Sequence, residues 1–221
     1  MSGQLVFCHG VKMKFFNTAG PVNKDIHYKI DPLTRWNLDE VLTLIDQQKY
    51  FLLHAPRQTG KTSCMLALRD YLNKEGKYKA LYWNVEVGQA ARNDVKSATA
   101  AMINVLSNRH EDLEQRAKLR EIAKSVQSHA DLNSAISYLS ESYSQPLVLL
   151  IDEIDSLIGD TLVSVLRQLR AGYDSRPEHF PISVMLCGVR DIQDYRIHRA
   201  DKEIITGGSA FNIKAKSLTL G

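Results

Sequence analysis

Two short stretches carry residue types at spacings that suit phosphate chemistry. The first is H-A-P-R-Q-T-G-K-T, residues 54–62. It follows the phosphate-binding pattern G-x-x-x-x-G-K-[ST], except that Ala55 stands where the first glycine belongs. Such a loop works because backbone N–H groups at a helix N-terminus point at an anion. Gly60 lets the backbone approach the phosphates closely. Lys61 adds a point charge for the terminal phosphates, and the Thr62 hydroxyl is a magnesium ligand. Pro56, Arg57, Gln58, Thr59 and Ser63 complete the candidate cradle. Ala55 is a small substitute, tolerable unless the position requires positive φ, and Pro56 stiffens the turn.

The second stretch is L-L-I-D-E-I-D, residues 149–155. An apolar run delivers Asp152 at a strand's C-terminal end, where ligands bind in open α/β sheets. Asp152 is the second candidate magnesium ligand, acting through water. Glu153 follows directly and is the candidate base that orients and deprotonates an attacking water. Alone, the two acids would serve equally well as caps of a helix N-terminus. With the phosphate loop upstream, the catalytic reading is favoured.

These residues need a scaffold, and the hydrophobic pattern supplies one. Leu38, Val41, Leu42 and Ile45 share a helical face after Asn37, a plausible N-cap. Tyr50 to His54 is a short apolar strand leading into the phosphate loop. The helix beginning at Lys61 ends at Gly76. Lys79–Val87, Pro146–Glu153 and Pro181–Gly188 read as further strands, and the last residues supply a fifth in A-F-N-I-K-A-K-S-L-T-L. Residues 89–144 are helical in character, with Val95, Ala98, Met102, Ile103 and Leu106 at helical spacing and a new helix near Asp131. A helix after the acidic strand places Ile158, Leu162, Val165, Leu166 and Leu169 on one face. Continuous apolar strands alternating with helices imply an α/β fold: a three-layer domain on a roughly five-stranded, mostly parallel sheet with an enlarged helical crossover.

Composition narrows the class. The 221 residues favour one large domain, and 44% apolar with 24% charged residues is ordinary for a globular chain. The net charge of +3 is too small to make nucleic acid an obligatory partner. The three cysteines, Cys8, Cys64 and Cys187, show no paired metal spacing and read as reduced thiols. No apolar run is long enough to span a bilayer and no secretory signal is visible, so a cytoplasmic location is expected.

Further segments carry a family likeness. Together with "FLLHAPRQTGKTS" and "LVLLIDEIDSL", the stretches "NTAGPV", "HYKIDPLTRW", "EVLTLID", "CGVRD" and "FNIKAKSLTL" resemble bacterial AAA-like ATP-binding proteins. These are phosphate-loop NTPases with a catalytic glutamate, near the origin-recognition-like and STAND-like ATPases. The likeness covers most of the chain from Met13 on, and Ala55 looks typical of this branch. It implies that Arg190, after the fourth strand, senses the terminal phosphate. It implies an arginine acting across subunits on self-association, with Arg170 and Arg176 as the candidates. It also implies that Pro21, Val22, Tyr28 and Arg35 cradle the base. On this reading residues 1–20 are an N-terminal extension and adenine-side segment, and residues 21–221 an ATPase core lacking a C-terminal lid. A lid or effector domain that normally follows such a core is then the missing partner, and a lid arginine is missing with it.

The expected activity is therefore hydrolysis of Mg-ATP to drive a conformational change. A nucleotide-gated switch with negligible turnover uses the same residues. The ATPase module of a nucleic-acid-associated protein is a third reading, because D-E-I-D is similar to the acidic box of helicases. Arg196, Arg199, Lys202, Lys214 and Lys216 are the basic residues that such a partner would use. A small-substrate kinase lacks an acceptor motif here, and no N-K-x-D signature favours guanine over adenine.

Overall fold

A computed structural model describes residues 14–16, 25–127, 131–191, 196–198, 204–206 and 211–220. Five parallel strands form the central sheet: β1 (Tyr50–His54), β2 (Lys79–Asn84), β3 (Leu147–Asp152), β4 (Ser183–Gly188) and β7 (Lys214–Thr219). Their order is β2-β3-β4-β1-β7, and every pairing is parallel. β5 (Arg196–His198) and β6 (Ile204–Thr206) form a separate antiparallel pair that the periodicity does not reveal.

β3 and β4 are buried along their whole length. Alternate residues feed opposite layers, as a pleat requires. Leu52, Leu149, Ile151 and Leu186 face α3 (Val95–Asn108), α4 (Leu113–Lys124), α5 (Asp131–Glu141) and α6 (Gly159–Ala171) in one apolar cluster. Phe51, Leu53, Val148, Leu150 and Met185 face α1 (Leu38–Asp46) and α2 (Lys61–Glu75) in the other. The expected three-layer fold is thus present, with the sheet parallel throughout.

Local signals set the boundaries. Asn37 caps α1 by accepting from the Glu40 N–H at 3.1 Å. Gly76 ends α2 with a left-handed φ of 76°, its N–H bonded to the Leu72 carbonyl. The region 89–144 divides into three helices, with Asp94 and Asp112 capping α3 and α4 through the Ser97 and Gln115 N–H groups. One helical expectation is corrected: α6 begins at Gly159, so Ile158 stays extended and 46% exposed instead of joining Leu162, Val165, Leu166 and Leu169 in the core.

β1 has β4 on one side and β7 on the other, while the chain leaving β1 crosses to β2 at the far edge. That reversal opens a crevice at the strands' C-terminal ends. The β1–α2 loop and the residues after β3 and β4 meet there.

Candidate functional site

The phosphate loop forms as its sequence predicts. Gln58 and Gly60 take left-handed backbone, φ 61° and 87°, and turn the chain into α2. A Cβ on Gly60 would come within 3.0 Å of Arg35 Nη1, the end of a flexible side chain, so it is the left-handed φ that favours glycine here. Ala55 is 1% exposed and packs with the α1/α2 layer, which explains why a small apolar residue opens the loop.

Lys61 is 8% exposed. Its Nζ donates to the Ala55 and Pro56 carbonyls, each at 2.8 Å, so the ammonium lies inside the loop's own curve. Thr62 and Asp152 lie far apart in sequence and meet here: Thr62 Oγ1 donates to Asp152 Oδ2 at 2.7 Å. Asp152 is 1% exposed. A hydroxyl beside a carboxylate is an all-oxygen donor set of the kind magnesium takes when it keeps several waters, so the two predicted metal ligands fit that ion.

Glu153 leaves β3 in left-handed backbone, φ 60° and ψ 38°. A non-glycine residue held there reflects local strain that the surroundings enforce. Burial pushes the Glu153 carboxyl above its usual range, aided by the charges of Asp152, Asp155 and Glu86 and opposed by Lys61. A carboxylate raised in this way is a better proton acceptor near neutrality. Asp155 Oδ1 and Ser156 Oγ, in the turn that follows, are buried with no hydrogen-bond partner among the described residues. Gly188 at the end of β4 faces that same Asp155 oxygen.

The remaining predicted residues divide. Gly188 is in register with His54, so Arg190 leaves the sheet at the loop's edge, exposed. Arg57 and Ser63 are exposed on the loop and first helical turn. Thr59 Oγ1 caps back onto the Pro56 carbonyl at 2.8 Å. Arg35 Nη1 donates to the Thr59 carbonyl, which brings this predicted base-side residue onto the phosphate loop. Tyr28 is 55% exposed and pairs with the Phe16 ring at 4.9 Å, so it is no part of the core. Pro21 and Val22 lie outside the described residues, as does Cys8.

The two arginines assigned to a neighbouring subunit lie away from this chain's own phosphate loop. Arg176 stacks on Tyr173 at 3.3 Å and donates to the Gln48 carbonyl at 2.6 Å. It therefore binds where the strands begin, opposite the phosphate loop, and its charge is already engaged. Arg170 is exposed in the last turn of α6, which starts at the site and runs away from it. The basic patch is also reduced: Lys214 pairs with Asp191 at 2.6 Å and Lys216 with Glu40. Arg199 and Lys202 lie outside the described residues.

Two side chains in the site belong to neither motif. Tyr82 on β2 donates its hydroxyl to Asp152 Oδ2 at 2.9 Å. Burial and the same carboxylate hold the Cys187 thiol well above its usual range. Even-numbered β2 residues share the face of Asp152 once Asn84 pairs with it, but only the strand order reveals that pairing.

Comparison with known proteins agrees with this geometry. A family model described as AAA domain matches residues 45–195. No curated protein matches the chain. Among solved structures, a chain of Drosophila ORC bound to DNA is similar with a TM-score of 0.53 and 14% identity, over 86% of this chain and 30% of that one. Drosophila ORC bound to poly(dA/dT) DNA and Cdc6 gives 0.51 and 13%, over 96% and 37%. At these identities the likeness is one of fold, and this chain spans about a third of the length of either relative. No helix among the described residues is long and apolar enough to cross a membrane.

Proposed function

The chain belongs to the AAA domain family, and from that premise we propose that it binds Mg-ATP and hydrolyses it to ADP and phosphate to drive a conformational change. The observation that carries this reading is the convergence of Lys61, Thr62, Asp152 and Glu153 at the C-terminal end of the sheet, with Thr62 on Asp152 at 2.7 Å.

The roles follow from position. Backbone N–H groups from Gln58 to Ser63, at the start of α2, bind the phosphates with Pro56, Arg57 and Thr59 shaping the loop. Lys61 exchanges its two loop carbonyls for terminal phosphate oxygens. Thr62 and Asp152 would hold magnesium, whose charge offsets that on the phosphoryl oxygens when it is bound. Glu153 accepts a proton from water as the water oxygen attacks the terminal phosphorus and the bond to ADP breaks. Arg190 meets the terminal phosphate. Arg35, bonded to Thr59, couples loop movement to the 3-10 turn Pro32–Arg35 and to α1 behind it.

Lys61 resting on its own loop also favours a second reading, a nucleotide-gated switch with negligible turnover. Association with nucleic acid remains a third reading, supported by a fold shared with ORC bound to DNA. Phosphate release measured beside nucleotide binding separates the first two. Hydrolysis requires wild type to turn over, Lys61→Ala to lose affinity, and Glu153→Gln to bind without turnover. Tight binding with no release leaves the switch. No binding at all overturns both.

A further inference from the structure

Asp152 is almost wholly removed from water, and a buried carboxylate needs hydrogen-bond donors in a fixed arrangement. Its Oδ2 accepts two hydroxyls, from Thr62 at 2.7 Å and from Tyr82 at 2.9 Å. Its Oδ1 accepts the adjacent Glu153 N–H at 3.0 Å, and the buried Cys187 thiol is a further hydrogen-bond partner of the same carboxylate. The two hydroxyls are not equivalent. Thr62 is itself a candidate metal ligand, so its oxygen is committed to the ion when the site is filled. Tyr82 has no such second duty.

Tyr82 is also rigidly held. It projects from β2 into the α1/α2 layer and is 6% exposed. Arg109, at the C-terminal cap of α3, lies over its ring at 5.0 Å. Packing in that layer and the neighbouring guanidinium restrict the two torsions of its side chain. Its hydroxyl reaches Asp152 from β2, outside the loop between β1 and α2.

We propose that Tyr82 is a positioning residue for magnesium: it holds the Asp152 carboxylate turned toward Thr62, so that the metal site is formed before the ion arrives. This rests on the Mg-ATP reading above and adds the residue that sets the metal affinity of that site. Groups that orient a metal ligand through a hydrogen bond are worth roughly 10- to 100-fold in metal affinity. Losing the donor also makes the carboxylate more basic, which acts in the opposite direction. Orientation dominates because magnesium demands near-ideal octahedral geometry.

The test is a fluorescent ATP analogue bound to the full chain, first in EDTA and then across a magnesium titration, for wild type and Tyr82→Phe. The expected result is an unchanged affinity in EDTA, with the magnesium concentration for half-maximal effect raised roughly 10- to 100-fold. The EDTA arm reports an intact phosphate loop, so it separates positioning from general damage. Equal magnesium demand in both proteins overturns the proposal. Equal loss of affinity with and without magnesium also overturns it, because Tyr82 is then a structural residue. Wild type whose binding ignores magnesium overturns the Mg-ATP reading and this proposal together.

Discussion

Arg176, where the strands begin, and Lys61, where they finish, are both cations bonded to backbone carbonyls, and their surroundings differ. Arg176 reaches the Gln48 carbonyl, 128 residues away, besides the nearby carbonyls of Tyr173 and Ile182, with Tyr173 stacked beneath it. Nearby, Ser183 Oγ donates to the Lys49 carbonyl and the Tyr50 hydroxyl to that of Pro181. Lys61 bonds only to carbonyls five and six residues back in its own loop. Around it, Asp155 Oδ1 and Ser156 Oγ are buried without hydrogen-bond partners among the described residues, and Glu153 is held at positive φ. Even strain is treated differently: Gln48 also has positive φ, 56°, but Arg176 takes its carbonyl. Bonds that tie remote segments together lock a tertiary structure. Bonds inside one loop hold a charge ready and release it without unfolding anything. One end of the sheet is tied to a remote segment, and at the other the cation is tied only to its own loop.

The strongest way to break this contrast is Glu153→Gln. It should lower turnover by about 100- to 10,000-fold while leaving nucleotide bound, measured by phosphate release beside a binding titration. Turnover at the wild-type rate would remove Glu153 from the chemistry. Next is Lys61→Ala, which should weaken nucleotide binding about 10- to 100-fold with little change in melting temperature. Arg176→Ala should do the reverse. Loss of its stacked, multiply bonded guanidinium should cost about 2 kcal/mol, lowering the melting temperature by about 4–8 °C with nucleotide affinity intact. If Arg176→Ala instead abolishes turnover and mixing it with Glu153→Gln restores part of it, Arg176 acts across subunits and the contrast fails. Gly60→Ala is milder in stability, roughly 1 kcal/mol by thermal melting, because alanine is strained at φ 87°.

The smallest effect sharpens the electrostatics. A base must be deprotonated to act, and burial with the charges of Asp152, Asp155 and Glu86 raises the Glu153 pKa. Turnover should therefore fall on the acid side at a pH above the ordinary glutamate range. Asp155→Asn removes one of the charges that raise it, so the midpoint should move to lower pH. A pH–rate profile that does not move would mean that Asp155 does not bear on the base.

Much of the site was legible before any coordinates. Strand–loop–helix context around Gly60, Lys61 and Thr62, and an apolar run ending in Asp152 and Glu153, are local patterns whose meaning survives without neighbours. The caps Asn37 and Gly76 were legible for the same reason. Reading 89–144 as helical, with a new helix only near Asp131, missed the α3–α4 turn, where His110 is buried and bonded to Gln115 and Tyr143. That turn is fixed by long-range packing and leaves no glycine or proline as a sign.

By itself, then, the sequence determined the fold class, the phosphate loop and the acidic pair. Periodicity reports which face of an element a residue occupies, and motifs report local backbone chemistry. Neither reports which strand lies beside which, or at which end of the sheet a charge comes to rest. The tertiary structure alone placed β2 against β3, and so Tyr82 on Asp152. It alone brought Arg35 to Thr59 and took Arg176 to the opposite end from Lys61. Such placements depend on which apolar faces pack together across tens of residues, a property of the whole core and not of any one segment.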